Sequence, residues 1–253
     1  MTILILGGTA EARELAAALV TAGEEVLTSL AGRVSKPALP VGRVRVGGFG
    51  GADGLAAFLT ANRIGALVDA THPFAARISA NAAAAAARTG TPSLRLERPG
   101  WADHPLAGTW TWVPDAPAAM LAARTARHPF LTTGRQSLEA FVRWDDRPAV
   151  VRVVEPPAFA LPAVWTMIIS RGPYRYNQER QLMIGHAVDA LVTKDSGGAH
   201  TVAKLGAASD LGIPVVVIQR PPPVAGGSTV TTVDQAVTWV QARESCQARC
   251  REA

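Results

Sequence analysis

ILILGGTAEARELA, residues 3–16, passes from an apolar run through two glycines into a helical pattern carrying Glu11, Arg13 and Glu14. An unbroken apolar segment of this length reads as a strand covered on both faces. The two glycines turn the chain sharply out of it, and Gly8 removes the side chain that would keep a phosphate away from the helix amides. Strand, glycine turn and helix form the opening unit of a parallel α/β sheet, and the remaining chain repeats the alternation.

Further strands are expected at 25–30, 43–46, 66–70 and 92–96 after the first at 2–6, with helices at 10–22, 52–62 and 74–89. The last of these holds NAAAAAA, a run of the strongest helix former and not a site. ERPGWADHPLAGT, 97–109, breaks the rhythm with Pro99, Gly100, Pro105 and Gly108 and reads as an interdomain crossover. A second series follows, with strands at 109–113, 129–132, 149–154, 166–169, 189–193 and 214–218 and helices at 115–126, 174–185, 199–211 and 233–245. RPPPVAGG, 220–227, reads as a stiff loop. The expected class is α/β: two doubly wound, Rossmann- or flavodoxin-like parallel-sheet domains, 1–98 and 99–253, with the last helix able to pack back on the first. Such sheets bind ligands at the carboxyl ends of their strands, which places the expected site in the cleft between the domains.

Composition narrows the chemistry. The 253 residues are 48% hydrophobic and 18% charged, a soluble globular balance with no run of about 18 to 20 apolar residues. No membrane contact is expected. Residues 1–20 lack a basic start and so do not read as a secretory signal, which makes the expected location cytoplasmic. Cys246 and Cys250 are the only cysteines and have no companions for a metal set, so no metal is expected. A net charge of +5 suits any polyanion. With 6% aromatics, scattered arginines and no recognition helix or zinc finger, nucleic acid is not the expected partner.

Polar residues gather after six strands. Gly7, Gly8 and Thr9 follow the first, though Thr9 and Ala12 replace the second and third glycines of G-x-G-x-x-G. Near the end of the second strand, where an NAD site usually has a carboxylate, the chain has Ser29 and Arg33. A hydroxyl and a guanidinium suit a 2′-phosphate and favour NADPH, while Arg33 can equally be a solvated loop cation. DATHPF places Thr71 and His72 in a strand-to-helix turn, with Pro73 at or near the first helical position. His72 can donate to a ligand, act as an acid, or simply close the turn. Thr133 and Arg135 in TTGRQ, and Arg171 in ISRGPY, can meet carboxylates or phosphates or form surface salt bridges. Only three lysines occur, Lys36, Lys194 and Lys204, and two of them lie in LVTKDSGGAHTVAKL. Lys194, Asp195 and Ser196 there form the densest polar cluster of the second half, in which the lysine can share a proton with Asp195 or form an internal salt bridge.

Together, ILILGGTAEAREL, DATHPFAARIS, ERPGW, TTGRQ, ISRGPY and LVTKDSGG followed by KLGAASDLGIPVVVIQRP resemble the precorrin-6A reductase family of cobalamin biosynthesis, in one order and nearly end to end. The resemblance implies NADPH-dependent reduction of a macrocyclic double bond of precorrin-6A to precorrin-6B. It implies that Gly7, Gly8, Thr9, Ser29, Arg33, Thr71, His72 and Pro73 hold NADPH. It further implies that Thr133, Arg135, Arg171, Lys194, Asp195 and Ser196 face the polyanionic tetrapyrrole, with Lys194, Asp195 or a water as proton donor. Transient contact with neighbouring pathway enzymes is compatible with it. Two other readings stand beside it, a uroporphyrinogen-synthase-like lyase and a non-catalytic NADPH- or tetrapyrrole-binding protein.

Overall fold

Ile3 and Ile5 point to one face of the first strand and Leu4 and Leu6 to the other, and all four are buried. The computed structural model describes residues 1–32, 38–224 and 227–252, the last of these as backbone alone from 244 onward. Up to Arg98 the elements are β1 (Thr2–Leu6), α1 (Ala10–Thr21), β2 (Glu25–Leu30), β3 (Arg43–Val46), α2 (Ala52–Ala61), β4 (Ile64–Asp69), α3 (Ala76–Thr89) and β5 (Ser93–Leu96). Then come β6 (Thr111–Val113), α4 (Ala116–Ala122), β7 (Pro129–Thr132), the short α5 (Arg135–Leu138), β8 (Ala149–Val153) and β9 (Trp165–Ile169). α6 (Tyr176–Gly185), β10 (Ala190–Lys194), α7 (Ala203–Asp210) and β11 (Val215–Ile218) complete the second series, before β12 (Ser228–Val230) and α8 (Val233–Glu252).

Two six-stranded sheets result, and every strand pair in them is parallel. The first runs β12-β5-β4-β1-β2-β3, the Rossmann order with β12 in the sixth place. The second runs β6-β11-β10-β7-β8-β9, the same order with β7 as its central strand and the early β6 at the far edge. Strand order reverses between β1 and β4 in one sheet and between β7 and β10 in the other. The compact units are Met1–Arg98 with Pro222–Ala253, and Pro99–Pro221. The expected second domain ran on to residue 253; the chain instead returns at Pro222, because β12 extends the first sheet beside β5 and α8 packs on α1. At three residues, β12 is too short to show a two-residue period, and it was not foreseen.

Both faces of the first sheet's inner strands are covered, which is why β1 and β4 read as nearly continuous apolar runs. Ile3, Ile5, Val26 and Val68 pack with Leu15 and Leu19 of α1 and Ala236 and Val240 of α8. Leu4, Leu6, Leu27 and Leu67 pack with Leu55 and Leu59 of α2 and with Ala82, Ala85 and Ala86 of α3, so the alanine run gives the helix a small face that lies close on the sheet. In the second unit Phe130, Leu191 and Val217 meet Met183 of α6 and Leu205, Ala207 and Ala208 of α7. Each fully buried leucine or phenylalanine contributes roughly 1.5–3 kcal/mol. Helix ends follow local chemistry: Thr9 and Asp115 cap α1 and α4 through their side chains, and Gly90, left-handed at φ 66°, ends α3. Among the described residues no helix is long and apolar enough to cross a membrane.

Candidate functional site

The turn after β1 is bound to the end of β4. Thr9 Oγ accepts from Ala12 N–H at 3.1 Å and donates to the Ala70 carbonyl at 2.8 Å, so one hydroxyl caps α1 and bridges the point where strand order reverses. Gly7 N–H donates to the Ser29 carbonyl, joining the end of β2 to the same turn. The two glycines serve different needs. A Cβ on Gly7 would lie 2.8 Å from Thr28 Cγ2, whereas Gly8 sits at φ +116° with no atom within 4 Å of its Cβ position. Gly7 is therefore required by packing and Gly8 by backbone conformation, with open space beside it. A phosphate can approach the α1 amides there.

On the β4 side, Thr71 is held by a buried network. Its hydroxyl donates to Asp69 Oδ1 at 2.7 Å and accepts from Arg95 Nη1 at 3.1 Å, while Arg95 pairs with Asp69 Oδ2 at 2.8 Å and Glu97 at 2.9 Å. His72 Nδ1 accepts from Phe74 N–H, which leaves the proton of the neutral ring on Nε2 as a donor. Ala75 N–H closes the turn on the His72 carbonyl, so α3 begins at Ala76 and Pro73 lies inside the turn, three residues before the first helical position it was expected to occupy or adjoin. The structure thus brings Gly7, Gly8, Thr9, Ser29, Thr71, His72 and Pro73 to one end of one sheet. Arg33 lies outside the described residues. So do the side chains of Cys246 and Cys250, and among the described residues no cluster of metal ligands occurs.

The equivalent crevice of the second sheet lies between β7 and β10, which are paired neighbours. Thr133 and Arg135 follow β7; Lys194 ends β10, and Asp195 and Ser196 follow it. Thr133 is fully buried, and its Oγ has no hydrogen-bond partner among the described residues. Gly134 turns the chain at φ +75°, and Arg135 pairs with Glu155 at 3.3 Å. Burial lowers the Lys194 ammonium to a pKa of about 8. Asp195 Oδ1 accepts from Trp101 N–H at 2.9 Å, and Oδ2 lies 3.4 Å from Arg220 Nε. That carboxylate anchors the turn. Gly197, at φ +64°, has no room for a Cβ against the Pro99 carbonyl. Arg171 stands apart from this group: it follows the edge strand β9, two strands and roughly 10 Å from β7, and is exposed.

Four participants were not foreseen in these roles: Asp69, Arg95, Trp101 and Arg220. Asp69, a carboxylate ending an apolar strand just before Thr71, was the most visible of them. The second unit also holds a buried ionic group. Arg152 and Glu179 form a two-pronged pair at 2.6 and 2.7 Å, with side chains 4% and 3% exposed. Lys204 Nζ donates to the Thr201 carbonyl and lies 5.0 Å from the ring of Trp101. Burial chiefly, with the Arg152 charge behind it and Glu179 opposing, lowers Lys204 to a pKa of about 7.

Residues 2–241 match the family described as CbiJ, precorrin-6x reductase CbiJ/CobK. The chain is 50% identical over 240 residues to a precorrin-6A reductase of Rhodococcus erythropolis, covering 94% of this chain and 96% of that one. A precorrin-6A reductase of Rhodobacter capsulatus is 39% identical with 94% and 95% covered, and a cobalt-precorrin-6A reductase of Priestia megaterium 31% identical with 93% and 96% covered. A solved CobK precorrin-6A reductase superposes with a TM-score of 0.89 at 38% identity, over 96% of this chain and 97% of that one.

Proposed function

The chain belongs to the precorrin-6x reductase family and is an oxidoreductase of cobalamin biosynthesis, and on that premise we propose that it reduces precorrin-6A with NADPH to give precorrin-6B in the cytoplasm. The 50% identity to the Rhodococcus reductase over nearly the full length of both chains carries this reading. The lower identity to the cobalt-precorrin enzyme favours a metal-free macrocycle. When bound, NADPH would supply the hydride for one carbon of the ring double bond, the oxidised nicotinamide being the other product.

The described residues fit that cofactor: open space beside Gly8, and Ser29 in place of a carboxylate at the end of β2. Gly7, Gly8 and Thr9 present the α1 amides to the pyrophosphate, and Ser29 and Arg33 meet the adenosine ribose. Thr71, His72 and Pro73 border the cofactor on the β4 side, with the His72 Nε2 proton as a donor. On the second sheet Thr133, Arg135, Arg171 and Ser196 receive the polar groups and carboxylates of the macrocycle. Lys194 gives the proton to the neighbouring carbon, since an ammonium with a pKa of about 8 is charged at neutral pH yet gives up its proton readily. Asp195 acts on the turn that carries Lys194. Holding donor, acceptor and acid in line is most of the task.

Mixing protein, NADPH and precorrin-6A while following nicotinamide absorbance and the macrocycle spectrum tests the reading. Both should change together, one NADPH per macrocycle. A macrocycle change without NADPH would select the lyase, and binding of both ligands without turnover the binding protein.

A further inference from the structure

We propose that Arg45 is a residue that distinguishes NADPH from NADH, acting as a fork for the ribose 2′-phosphate with Ser29 as its partner; this rests on NADPH being the cofactor. β3 reads Arg43-Val44-Arg45-Val46, and its period of two puts both arginines on one face. They go to different places. Arg43 pairs in solvent with Glu25, at the start of β2. Arg45 stands in register with Ser29 at the carboxyl end of β2, and its Nη1 reaches Ser29 Oγ at 3.2 Å.

Among the described residues the guanidinium is held by neutral groups. Nη1 also donates to the Gly47 carbonyl at 2.7 Å and Nη2 to the Gly48 carbonyl at 2.6 Å. Its carbon lies 4.0 Å from the ring centre of Phe49 and 5.2 Å from that of Phe58. Gly47, at φ +122°, bends the loop around it, and Gly47 N–H ties that loop to the Leu30 carbonyl at the end of β2. By contrast, Arg95 and Arg98 of the same unit are neutralised by Asp69, Glu97 and Glu11. Among the described residues Arg45 meets no carboxylate. Its charge therefore has no counter-ion among them, and its orientation is set by an aromatic surface and backbone carbonyls.

Two donors have no acceptor among the described residues, Nε–H and the second N–H of Nη2. Paired guanidinium donors suit two phosphate oxygens, and a 2′-phosphate monoester would bring the negative charge the position lacks. The location supports this ligand, since the end of β2 is where a Rossmann sheet reads the adenosine ribose. A carboxylate there would select the 2′-hydroxyl of NADH. Ser29 with Arg45 selects its phosphate ester.

Calorimetric titration with adenosine 2′,5′-bisphosphate and with 5′-AMP needs no turnover. The native protein should prefer the bisphosphate. Arg45→Met, which keeps an apolar stem against Phe49, should weaken bisphosphate binding roughly 10- to 100-fold and leave 5′-AMP within about twofold. Arg45→Lys, keeping charge without the fork, should fall between and serves should the Met variant fail to fold. A substituted protein that retains the bisphosphate preference, or loses both nucleotides alike, overturns the proposal and makes Arg45 a latch between β2 and the glycine loop. Native protein indifferent to the 2′-phosphate would overturn the NADPH reading itself.

Discussion

The crevice between β1 and β4 and the crevice between β7 and β10 occupy the same place in the same strand order, yet different chemistry holds them. Across the first the link is a neutral hydroxyl, with Thr9 Oγ joining the α1 turn to the Ala70 carbonyl, and its ions, Asp69 with Arg95 and Glu97, stand on the β4 side behind Thr71. In the second a carboxylate makes the link, Asp195 being fixed by Trp101 N–H and Arg220, and the same unit buries an Arg152–Glu179 pair and Lys204. Strand order sets where a ligand can sit, and the side chains after the strands set what it is. A neutral turn with accessible amides suits a phosphate. A crevice carrying a partly dehydrated ammonium suits a reaction that needs a proton.

The widest gap between the two crevices should appear in turnover. As the acid, Lys194 must be protonated, so kcat/KM should stay level below about pH 8 and fall above it as the ammonium is lost. Lys194→Arg keeps charge but cannot release a proton near neutral pH; it should reduce turnover about 10²- to 10⁴-fold and abolish the alkaline fall. Retention of that fall in the variant would remove Lys194 from proton transfer.

Stability should separate them next. Glu179→Ala leaves the Arg152 charge buried without its partner, at a cost of about 3–5 kcal/mol. In the first unit, Arg98→Ala breaks the more accessible pair with Glu11 and should cost about 1 kcal/mol. Urea unfolding of both variants measures the gap, and equal losses would mean that the buried pair brings no special dependence on charge.

The sequence disclosed these crevices unequally. β1, β2 and β7 lie where the apolar runs put them, because burial on both faces leaves a continuous signal, and β3 lies where its alternation of arginine and valine put it. The glycine turn was legible for a similar reason, since backbone conformation is a local property. Partners distant in sequence were not. Asp195 depends on Trp101 N–H, 94 positions away, and nothing local marks that amide as its donor. Arg45 resembles any strand-edge arginine until the Gly47 and Gly48 carbonyls fold around it. Lys204 stood out by rarity, but its depressed pKa follows from burial and the Arg152 charge, which no spacing reveals.

The smallest effect tests the comparison most directly, because the same substitution can be made in both turns. Gly8 and Gly134 sit at φ +116° and +75°, and neither has an atom within 4 Å of its Cβ position. Valine therefore meets no clash with the surrounding fold and acts through backbone strain, at a cost of about 1–3 kcal/mol at either site. Melting temperatures should fall by similar amounts, while ligand affinities should part. Gly8→Val places a branched side chain where the phosphate approaches and should weaken NADPH about tenfold, with macrocycle affinity within twofold of native. Gly134→Val displaces Thr133 and Arg135 and should do the reverse. Separate titrations of each variant with each ligand measure this crossing, and a variant that lost both ligands equally would show that its turn supports the fold and selects neither.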